Sequence, residues 1–337
     1  MTLYLTRRAF LLASLGGLMA GAPNRRATIM TIKGPIQAGQ LGKALIHEHF
    51  LVDFIGADKI SFDRWKPEEV AQTVLPYLRE AKQAGVKSIF DCTPNFLGRD
   101  VRLLQLLANQ SGLQIITNTG YYGARDNKYL PPRAFTENPE QLAQRWINEF
   151  EQGIENTKIR PGFIKIGVDA GESLSELHRK LVQAAALTHL KTGLTICSHT
   201  GPGQAAFEEI NILQKMGVKP DAFVWVHAQG EPNKSLHTRA AGLGAWVSLD
   251  GIGWGDFDNY VDAILRLKSD GLLRRVLISH DAGWYKPQEP DTTFQGYTNI
   301  FKELFPRLKQ KGFREKDFNQ LLVKNPAEAM GIRIRKL

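Results

Sequence analysis

The feature that most constrains the fold is an alternation of short apolar runs with longer amphipathic segments, which begins near residue 44 and continues almost to the end of the 337-residue chain. The runs are apolar nearly throughout, as is typical of strands buried on both faces of a parallel sheet. The predicted strands are 44–49, 86–92, 113–118, 162–168, 194–199, 222–227, 245–249 and 275–279. Eight strand–helix units predict an α/β fold, a (β/α)8 TIM barrel, for which about 250 residues is typical.

The rival fold is a doubly wound parallel sheet. That fold usually carries Gly-x-Gly-x-x-Gly after its first strand, and no such motif follows residue 49. No internal repeat or Pro/Gly-rich linker indicates a second domain, so residues 23–337 are predicted to form one barrel domain. A short strand at Ala27–Ile32 precedes it, with Gly34-Pro35 expected as a turn. A final helix is expected at Glu315–Val323.

Composition excludes several classes of protein. With 43% hydrophobic and 23% charged residues, the chain has material for a large core and is unlike a disordered one. The formal net charge is +9, but Lys and Arg are scattered, which argues against nucleic-acid binding. The two cysteines, Cys92 and Cys197, are too few for a disulfide framework and are expected to be buried thiols.

Residues 1–22 are predicted to be an export signal. Arg7-Arg8 precede a short apolar stretch, and Ala20-Gly21-Ala22 supplies the small residues of a cleavage site. The apolar stretch is shorter than the roughly 20 residues that span a bilayer, so no stable membrane anchor is expected. The arginine pair is typical of a twin-arginine signal, with a plain secretory signal as the alternative. Either signal places the mature protein in the periplasm or outside the cell.

Polar side chains gather at the carboxyl ends of the predicted strands, where barrels of this kind carry their chemistry. These residues are His47 and His49 on the first strand, Lys165 on the fourth, His199 on the fifth, His227 on the sixth and His280-Asp281 after the eighth. Because strand side chains alternate, His47 and His49 share a face and Glu48 points away from them. By the same parity His280 points away from Asp281.

Imidazoles and carboxylates are the usual ligands of zinc-like ions. Four histidines and an aspartate exceed the needs of one open catalytic site, but they suit two divalent ions. Burial disfavours the ammonium form of a lysine, and the free amine of Lys165 can add carbon dioxide to become an anionic carbamate that bridges two ions. The alternatives are two ordinary strand histidines at His47 and His49, and a Lys165 paired with a nearby carboxylate.

Seven segments occur in one order that is similar to a known pattern. They are Gly34-Pro35-Ile36, Ala44–His49, Gly98-Arg99-Asp100, Lys165-Ile166-Gly167, His199, His227 and Ser279-His280-Asp281. With them, the chain from about residue 27 to its end resembles the phosphotriesterase-like family of the amidohydrolase superfamily.

The resemblance implies a role for each ligand. His47, His49 and Asp281 would hold the more buried ion, and His199 and His227 the more exposed one. Lys165, as N6-carboxylysine, and a hydroxide would bridge them. That hydroxide would attack the substrate, and Asp281 would accept its proton. Zinc is the first expectation for the metal, although such ligands also accept Mn, Co, Ni or Fe.

The chain departs from the family pattern at two places. Phosphotriesterases carry Asp-His where this chain has Asp250-Gly251, and an acidic residue where it has Gly230, so two partners of the outward proton relay are missing. Thr119-Gly120-Tyr121-Tyr122 is similar to a family motif whose tyrosine meets substrate, which makes Tyr122 a candidate, with barrel-mouth packing as the alternative.

Trp254 and Trp284 follow the seventh and eighth strands and are expected either to wall an apolar substrate pocket or to cap the barrel. His178, His189 and His237 lie on predicted helices and are expected to be solvated. The sequence thus predicts a binuclear metal-dependent hydrolase that acts on a small uncharged ester, lactone or phosphotriester. The alternatives are cleavage of an amide or cyclic imide, or a non-catalytic barrel that binds a small apolar ligand. A homodimer remains an open alternative to a monomer.

Overall fold

The computed structural model describes residues 27–289 and 293–337. A hairpin of β1 (Thr28–Thr31) and β2 (Gly34–Gln37) precedes the barrel. The barrel strands are β3 (Lys43–Glu48), β4 (Val86–Asp91), β5 (Gln114–Ile116), β6 (Asn118–Thr119), β7 (Phe163–Gly167), β8 (Thr195–His199), β9 (Phe223–Val226), β10 (Trp246–Leu249) and β11 (Val276–Ile278). Each lies within or next to a predicted strand. The expected turn at Gly34-Pro35 is wrong, because both residues begin β2.

The barrel strands are all parallel, which confirms the predicted (β/α)8 barrel. β3, β4 and β5 pair in that order, and β6 to β11 pair in chain order. β5 and β6 are two halves of the predicted third strand, separated by Thr117. The first and last strands meet through hydrogen bonds just beyond their ends: Asp281 N donates to His47 O at 3.0 Å, and His49 N donates to Ala282 O at 2.8 Å.

Helices follow the strands. They are α1 (Pro67–Gln83), α2 (Val101–Ser111), α3 (Pro132–Thr136), α4 (Pro139–Gln152), α5 (Glu176–Thr192), α6 (Gly203–Lys215), α7 (Ser235–Leu243), α8 (Phe257–Ser269), α9 (Phe305–Gln310), α10 (Glu315–Asn319) and α11 (Asn325–Met330). A π-helical turn at Ile300–Leu304 leads into α9, and another at Gln320–Lys324 joins α10 to α11. The predicted end of the last helix at Val323 is therefore wrong, because the chain continues through this π-helical turn into α11. Pro326 is tolerated there, since it lies in the first turn of α11, where its missing N–H is not needed.

Local sequence explains how a helix such as α2 is delimited. The Asp100 side chain accepts hydrogen bonds from the backbone N–H groups of Arg102 and Leu103, which caps the first turn. Gly112 ends the helix with φ 69°, a left-handed conformation that glycine adopts without a steric cost. Leu104 and Leu107 are buried between these ends, on the side that packs against the barrel.

The barrel interior is filled by side chains from several strands, among them Phe90, Phe163 and Trp246. Ile29 from the hairpin joins the same cluster, and the hairpin lies at the amino ends of the strands, where Ile32 N donates to Ile115 O at 2.8 Å. Cys92 and Cys197 are buried and unbonded to each other, as predicted. The amino end of the barrel is thus covered, and the polar residues collect at the other end.

Within residues 27–289 and 293–337, no helix combines the length and apolar character that a membrane crossing requires.

Candidate metal and active site

β3 brings His47 and His49 to the carboxyl rim of the barrel through a bulge. Leu45 pairs with Ile89, while Glu48 pairs with Asp91, so three steps along β3 oppose two along β4. Because of this bulge, Ile46 and the next residue, His47, both face the inside of the barrel. Ile46 packs in the interior, and His47 Nε2 lies 3.5 Å from Asp281 Oδ1. His47 and His49 lie on the same side and their ring centroids are 5.4 Å apart.

Glu48 points to the opposite side, as predicted, where it holds the segment that carries Asp281. Glu48 is fully buried. Its Oε1 accepts hydrogen bonds from Ser279 Oγ and from His280 Nδ1, both at 2.7 Å, and its Oε2 accepts from Ala282 N at 3.0 Å. Glu48 thus fixes the backbone on both sides of Asp281, a contribution that the strand parity alone did not reveal.

The Asp281 carboxylate lies at the centre of three histidines. Its Oδ1 is 3.0 Å from His49 Nε2 and 3.5 Å from His47 Nε2, and its Oδ2 is 4.0 Å from His227 Nε2. Burial acts to raise the pKa of Asp281, but the three imidazoles outweigh burial and lower that pKa below its ordinary value. The carboxylate is therefore held in its charged form, the form that ligates metals.

Asp250, just after β10, contacts two of these histidines. Its Oδ1 accepts a hydrogen bond from His227 Nδ1 at 2.7 Å, and its Oδ2 lies 3.2 Å from His47 Nδ1 without a hydrogen bond. Asp250 is fully buried, which acts to raise its pKa, yet His227 and His47 bring the pKa well below the usual range. Sequence reasoning had named Asp250 only as the residue before Gly251, where the chain departs from the family pattern. Its signal was an acid at the carboxyl end of the seventh barrel strand.

Two members of the cluster have left-handed backbones. His227 has φ 60° and Asp281 has φ 52°. Such conformations are uncommon for residues other than glycine, and they persist only where the surroundings hold them. Their occurrence at two of the predicted ligands marks this rim as the functional end of the barrel.

His199 and Lys165 complete the cluster. The His199 ring centroid is 4.4 Å from that of His227 and 5.0 Å from that of Tyr122. Burial, with His227 and Lys165 adding to it, lowers the pKa of His199 well below its ordinary value and keeps the ring neutral. Lys165 Nζ lies 5.5 Å from the Tyr122 ring centroid.

Lys165 is only 2% exposed. Within the described part of the chain its Nζ forms no ion pair, so the paired-lysine alternative finds no partner there.

The donors fit a divalent metal ion. One ligand atom each from His47, His227 and Asp281 lies within 4.8 Å of the others, without any rearrangement. Neutral imidazoles and an ionised carboxylate are the donors that zinc-like ions take. His49, His199 and Lys165 contact or adjoin the same group, so the structure brings the six predicted ligands to one rim.

Outer contacts fix the ring of His49. Its Nδ1 lies 2.8 Å from Thr93 Oγ1, which in turn lies 3.1 Å from Asp91 Oδ1. Burial raises the pKa of Asp91 to about 7, despite the opposing effect of His49. Sequence reasoning missed Thr93 and Asp91, although both follow the pattern of polar residues at strand ends.

Aromatic side chains surround the mouth of the site. The Trp284 ring centroid lies 5.7 Å from that of His49, 5.4 Å from that of Phe54 and 5.7 Å from that of Trp254. Tyr129 continues this wall toward Tyr122, at 5.9 Å between ring centroids. Trp254 is 42% exposed, so it does not cap the barrel as a buried plug would.

The expectation that His178, His189 and His237 are solvated is wrong. All three are buried, and each ring contacts a backbone carbonyl oxygen: that of Gly123 for His178, of Leu194 for His189 and of Ala228 for His237. These carbonyls belong to loops that pack onto the helices, so the histidines satisfy polar groups that burial would otherwise leave unpaired. His280 lies opposite Asp281, as predicted, against Glu48.

Comparison with known proteins places this site in a family. The family model described as "Phosphotriesterase family" matches residues 27–330. The chain belongs to the phosphotriesterase family. Membership supports a hydrolase on a (β/α)8 barrel, and the His/Asp cluster agrees with the metal dependence of that family.

Three relatives show how varied the family members are. A "Phosphotriesterase homology protein" of Escherichia coli (strain K12) is 28% identical, with 85% of this chain and 97% of the relative aligned. An "Aryldialkylphosphatase" of Saccharolobus solfataricus is also 28% identical, over 87% of this chain and 96% of the relative. An "N-acetyltaurine hydrolase" of Xenopus tropicalis is 26% identical, over 89% and 97%. The first name gives no substrate, the second a phosphoester and the third an amide.

Proposed function

We propose that this protein is a binuclear metal-dependent hydrolase that cleaves an ester-like bond in a small uncharged substrate. The observation that carries the proposal is the convergence of one ligand atom each from His47, His227 and Asp281, with the buried Lys165 on the same rim. Among the described residues Lys165 forms no ion pair, which leaves its amine available for carboxylation.

The chain would hold its ions with the six residues named above. His47, His49 and Asp281 would ligate one ion and His199 and His227 the other, with carboxylated Lys165 between them. Two zinc-like ions would supply an acidified water and a positive charge for the substrate's carbonyl or phosphoryl oxygen. Asp250 orients His227 and Thr93 orients His49 through hydrogen bonds to Nδ1, so that the Nε2 atoms of both rings face the centre.

Asp281 is the proposed acceptor of the proton from the attacking water, since its carboxylate is ionised and central. The relay found in the best-studied relatives has no counterpart here, because Gly251 and Gly230 stand in place of its two partners and have no side chain. A Cβ at Gly251 would lie 2.7 Å from Gln229 Nε2 and 2.8 Å from Tyr260 Oη, so the space is already filled.

The wall of the site supports an ester or lactone over a charged substrate. Phe54, Tyr129, Trp254 and Trp284 offer apolar surface beside the metal ligands, and Tyr122 lies between them and His199. Such surface favours flat or apolar substituents. Tyr122, Trp254 and Trp284 are the proposed substrate contacts.

Amide cleavage is the second candidate, and the similarity to an N-acetyltaurine hydrolase over 89% of the chain favours it. An amide has a poorer leaving group than an ester, so its nitrogen must be protonated as the bond breaks. Asp281, once it has accepted a proton, is the group positioned to return it.

The decisive experiment is a substrate screen on mature protein reconstituted with Zn, Co or Mn. Aryl esters, lactones, phosphotriesters and N-acyl amides would be compared by kcat/KM. Turnover of esters or lactones above the others supports the proposal, and turnover of amides alone selects the second candidate. A protein that holds no stoichiometric metal refutes the hydrolase, and metal without any turnover indicates a binding protein.

We also propose that residues 1–22 act as a twin-arginine export signal, so that the mature protein starts near Pro23 and works in the periplasm or outside the cell. These residues lie outside the described part of the structure. The arginine pair, the short apolar stretch and the Ala20-Gly21-Ala22 site support the proposal.

A further inference from the structure

Trp254 makes a contact that a substrate wall does not need. Its indole Nε1 donates a hydrogen bond to the backbone carbonyl oxygen of Asp281 at 3.1 Å. The residue lies in the loop between β10 and α8, and its ring contacts Trp284. The loop therefore reaches across from the seventh barrel strand to the residue at the centre of the metal cluster.

The backbone of Asp281 requires such support. With φ 52° it adopts a conformation that a non-glycine residue keeps only when its neighbours determine it. Its N–H donates to His47 O at 3.0 Å, and its carbonyl accepts from Trp254. The peptide groups on both sides of the Asp281 Cα are thus fixed, and with them the direction in which the carboxylate leaves the backbone.

The loop does not depend on the indole for its own fold. Tyr260 Oη lies 2.6 Å from Gly251 O and 3.1 Å from Trp254 O, which anchors the loop backbone to α8. Removal of the Trp254 N–H should therefore release the carbonyl of Asp281 while the loop remains in place.

We propose that Trp254 is a positioning residue, which orients the Asp281 carboxylate toward its metal through the Asp281 carbonyl. The inference rests on the proposed function, since it takes Asp281 to be a metal ligand. It replaces the expectation that Trp254 only lines the substrate pocket. A partner that orients a ligand usually changes metal affinity or activity by about 10- to 100-fold when it is lost.

The chain offers a matched control. Trp146 lies on α4, and its Nε1 is buried without a hydrogen-bond partner in the described residues. Trp254→Phe and Trp146→Phe each keep an aromatic ring and remove one indole N–H. Only the first removes a hydrogen bond to Asp281.

The test is a Co²⁺ titration of metal-free protein, followed by visible absorption and by a competing chelator. Trp254→Phe should weaken Co²⁺ binding by about tenfold, at the lower end of the range for such partners. Trp146→Phe should leave the affinity within about twofold of the wild type, because no bond to the ligand set is lost. With a hydrolysed substrate, Trp254→Phe should lower kcat more than it raises KM.

Equal losses in the two variants, or an unchanged affinity in Trp254→Phe, would overturn the inference. Failure of the wild-type protein to bind Co²⁺ would instead overturn the proposed function. Should Trp254→Phe not fold, benzothienylalanine incorporated at position 254 keeps the bicyclic ring and lacks the N–H. The Co²⁺ affinity of that protein should then be about tenfold weaker than that of the wild type, and an unchanged affinity would overturn the inference.

Discussion

Asp250→Asn is the substitution that tests the site most directly. The Asp250 carboxylate is charged, so it only accepts hydrogen bonds, and His227 Nδ1 donates to its Oδ1 at 2.7 Å. His227 Nδ1 therefore carries its hydrogen, and its Nε2 keeps a lone pair for a metal. His47 Nδ1 lies 3.2 Å from Asp250 Oδ2 without a hydrogen bond. Asparagine has the same shape, but one of its two terminal groups is a donor.

An asparagine at this position can accept from one imidazole only. The other ring must turn its Nδ1 lone pair to the amide N–H, which moves its hydrogen to Nε2 and removes that atom as a ligand. We expect a loss of metal affinity of about 10- to 100-fold, which is equivalent to about 1.4–2.8 kcal/mol. The net worth of one hydrogen bond to a charged group, about 1.5–3 kcal/mol, falls in the same range.

The assay is chelator-competed titration of metal-free protein with Zn²⁺ or Co²⁺, beside kcat/KM on an ester found in the screen. Asp256→Asn is the matched control, because Asp256 is exposed, caps α8, and asparagine caps as well as aspartate. If Asp250→Asn binds both ions as tightly as the wild type does, the assignment of Asp250 as the residue that keeps its two neighbouring imidazoles in the ligating tautomer is refuted.

Four further predictions follow from particular groups. Lys165→Ala should lower the metal content per chain, measured by elemental mass spectrometry, and should abolish a carbon dioxide adduct visible on Lys165 in native mass spectra; full metal loading in the variant would contradict the bridging role. Tyr122→Phe should reduce kcat/KM by about fivefold, the equivalent of about 1 kcal/mol for a lost hydrogen bond to substrate, whereas no change would favour plain packing. Burial raises the pKa of Glu209 to about 8, so between pH 4.5 and 8 the folded protein keeps a proton that the unfolded chain has released. The free energy of unfolding should therefore decrease as the pH rises from 4.5 to 8. Glu209→Gln should flatten that decline in thermal unfolding, and parallel curves for the two proteins would show that Glu209 does not titrate in this window. Replacement of Arg7 and Arg8 by lysine should leave full-length protein in the cytoplasm, while export of a chain that starts at Pro23 in this variant would favour the plain secretory signal.

The barrel could be read from sequence because its signals are local. A strand buried on both faces can be recognised from its own run of apolar residues, and an amphipathic helix from the period of its own apolar residues. Since the carboxyl ends of all barrel strands meet at one rim, the strand ends also predicted His47, Lys165, His199, His227 and Asp281 as neighbours.

Other features depend on residues far apart in the chain. The bulge in β3 arises from its pairing with β4, and the role of Glu48 arises from a hydrogen bond to His280, 232 residues later. The contacts of Asp250 with His47 and His227 were not foreseen, because those residues lie on other strands. The buried state of His178 follows from a loop carbonyl that the helix pattern does not reveal.

The sequence by itself determined the order of the strand–helix units and the residue types at the barrel rim, because apolar periodicity and side-chain parity are properties of neighbouring residues. Only the tertiary structure decided how those side chains are oriented. Asp250 and Trp254 act on His47, His227 and Asp281 across different strands and loops. Closure of the barrel brings them together, and its hydrogen bonds determine which nitrogen or oxygen faces the metal.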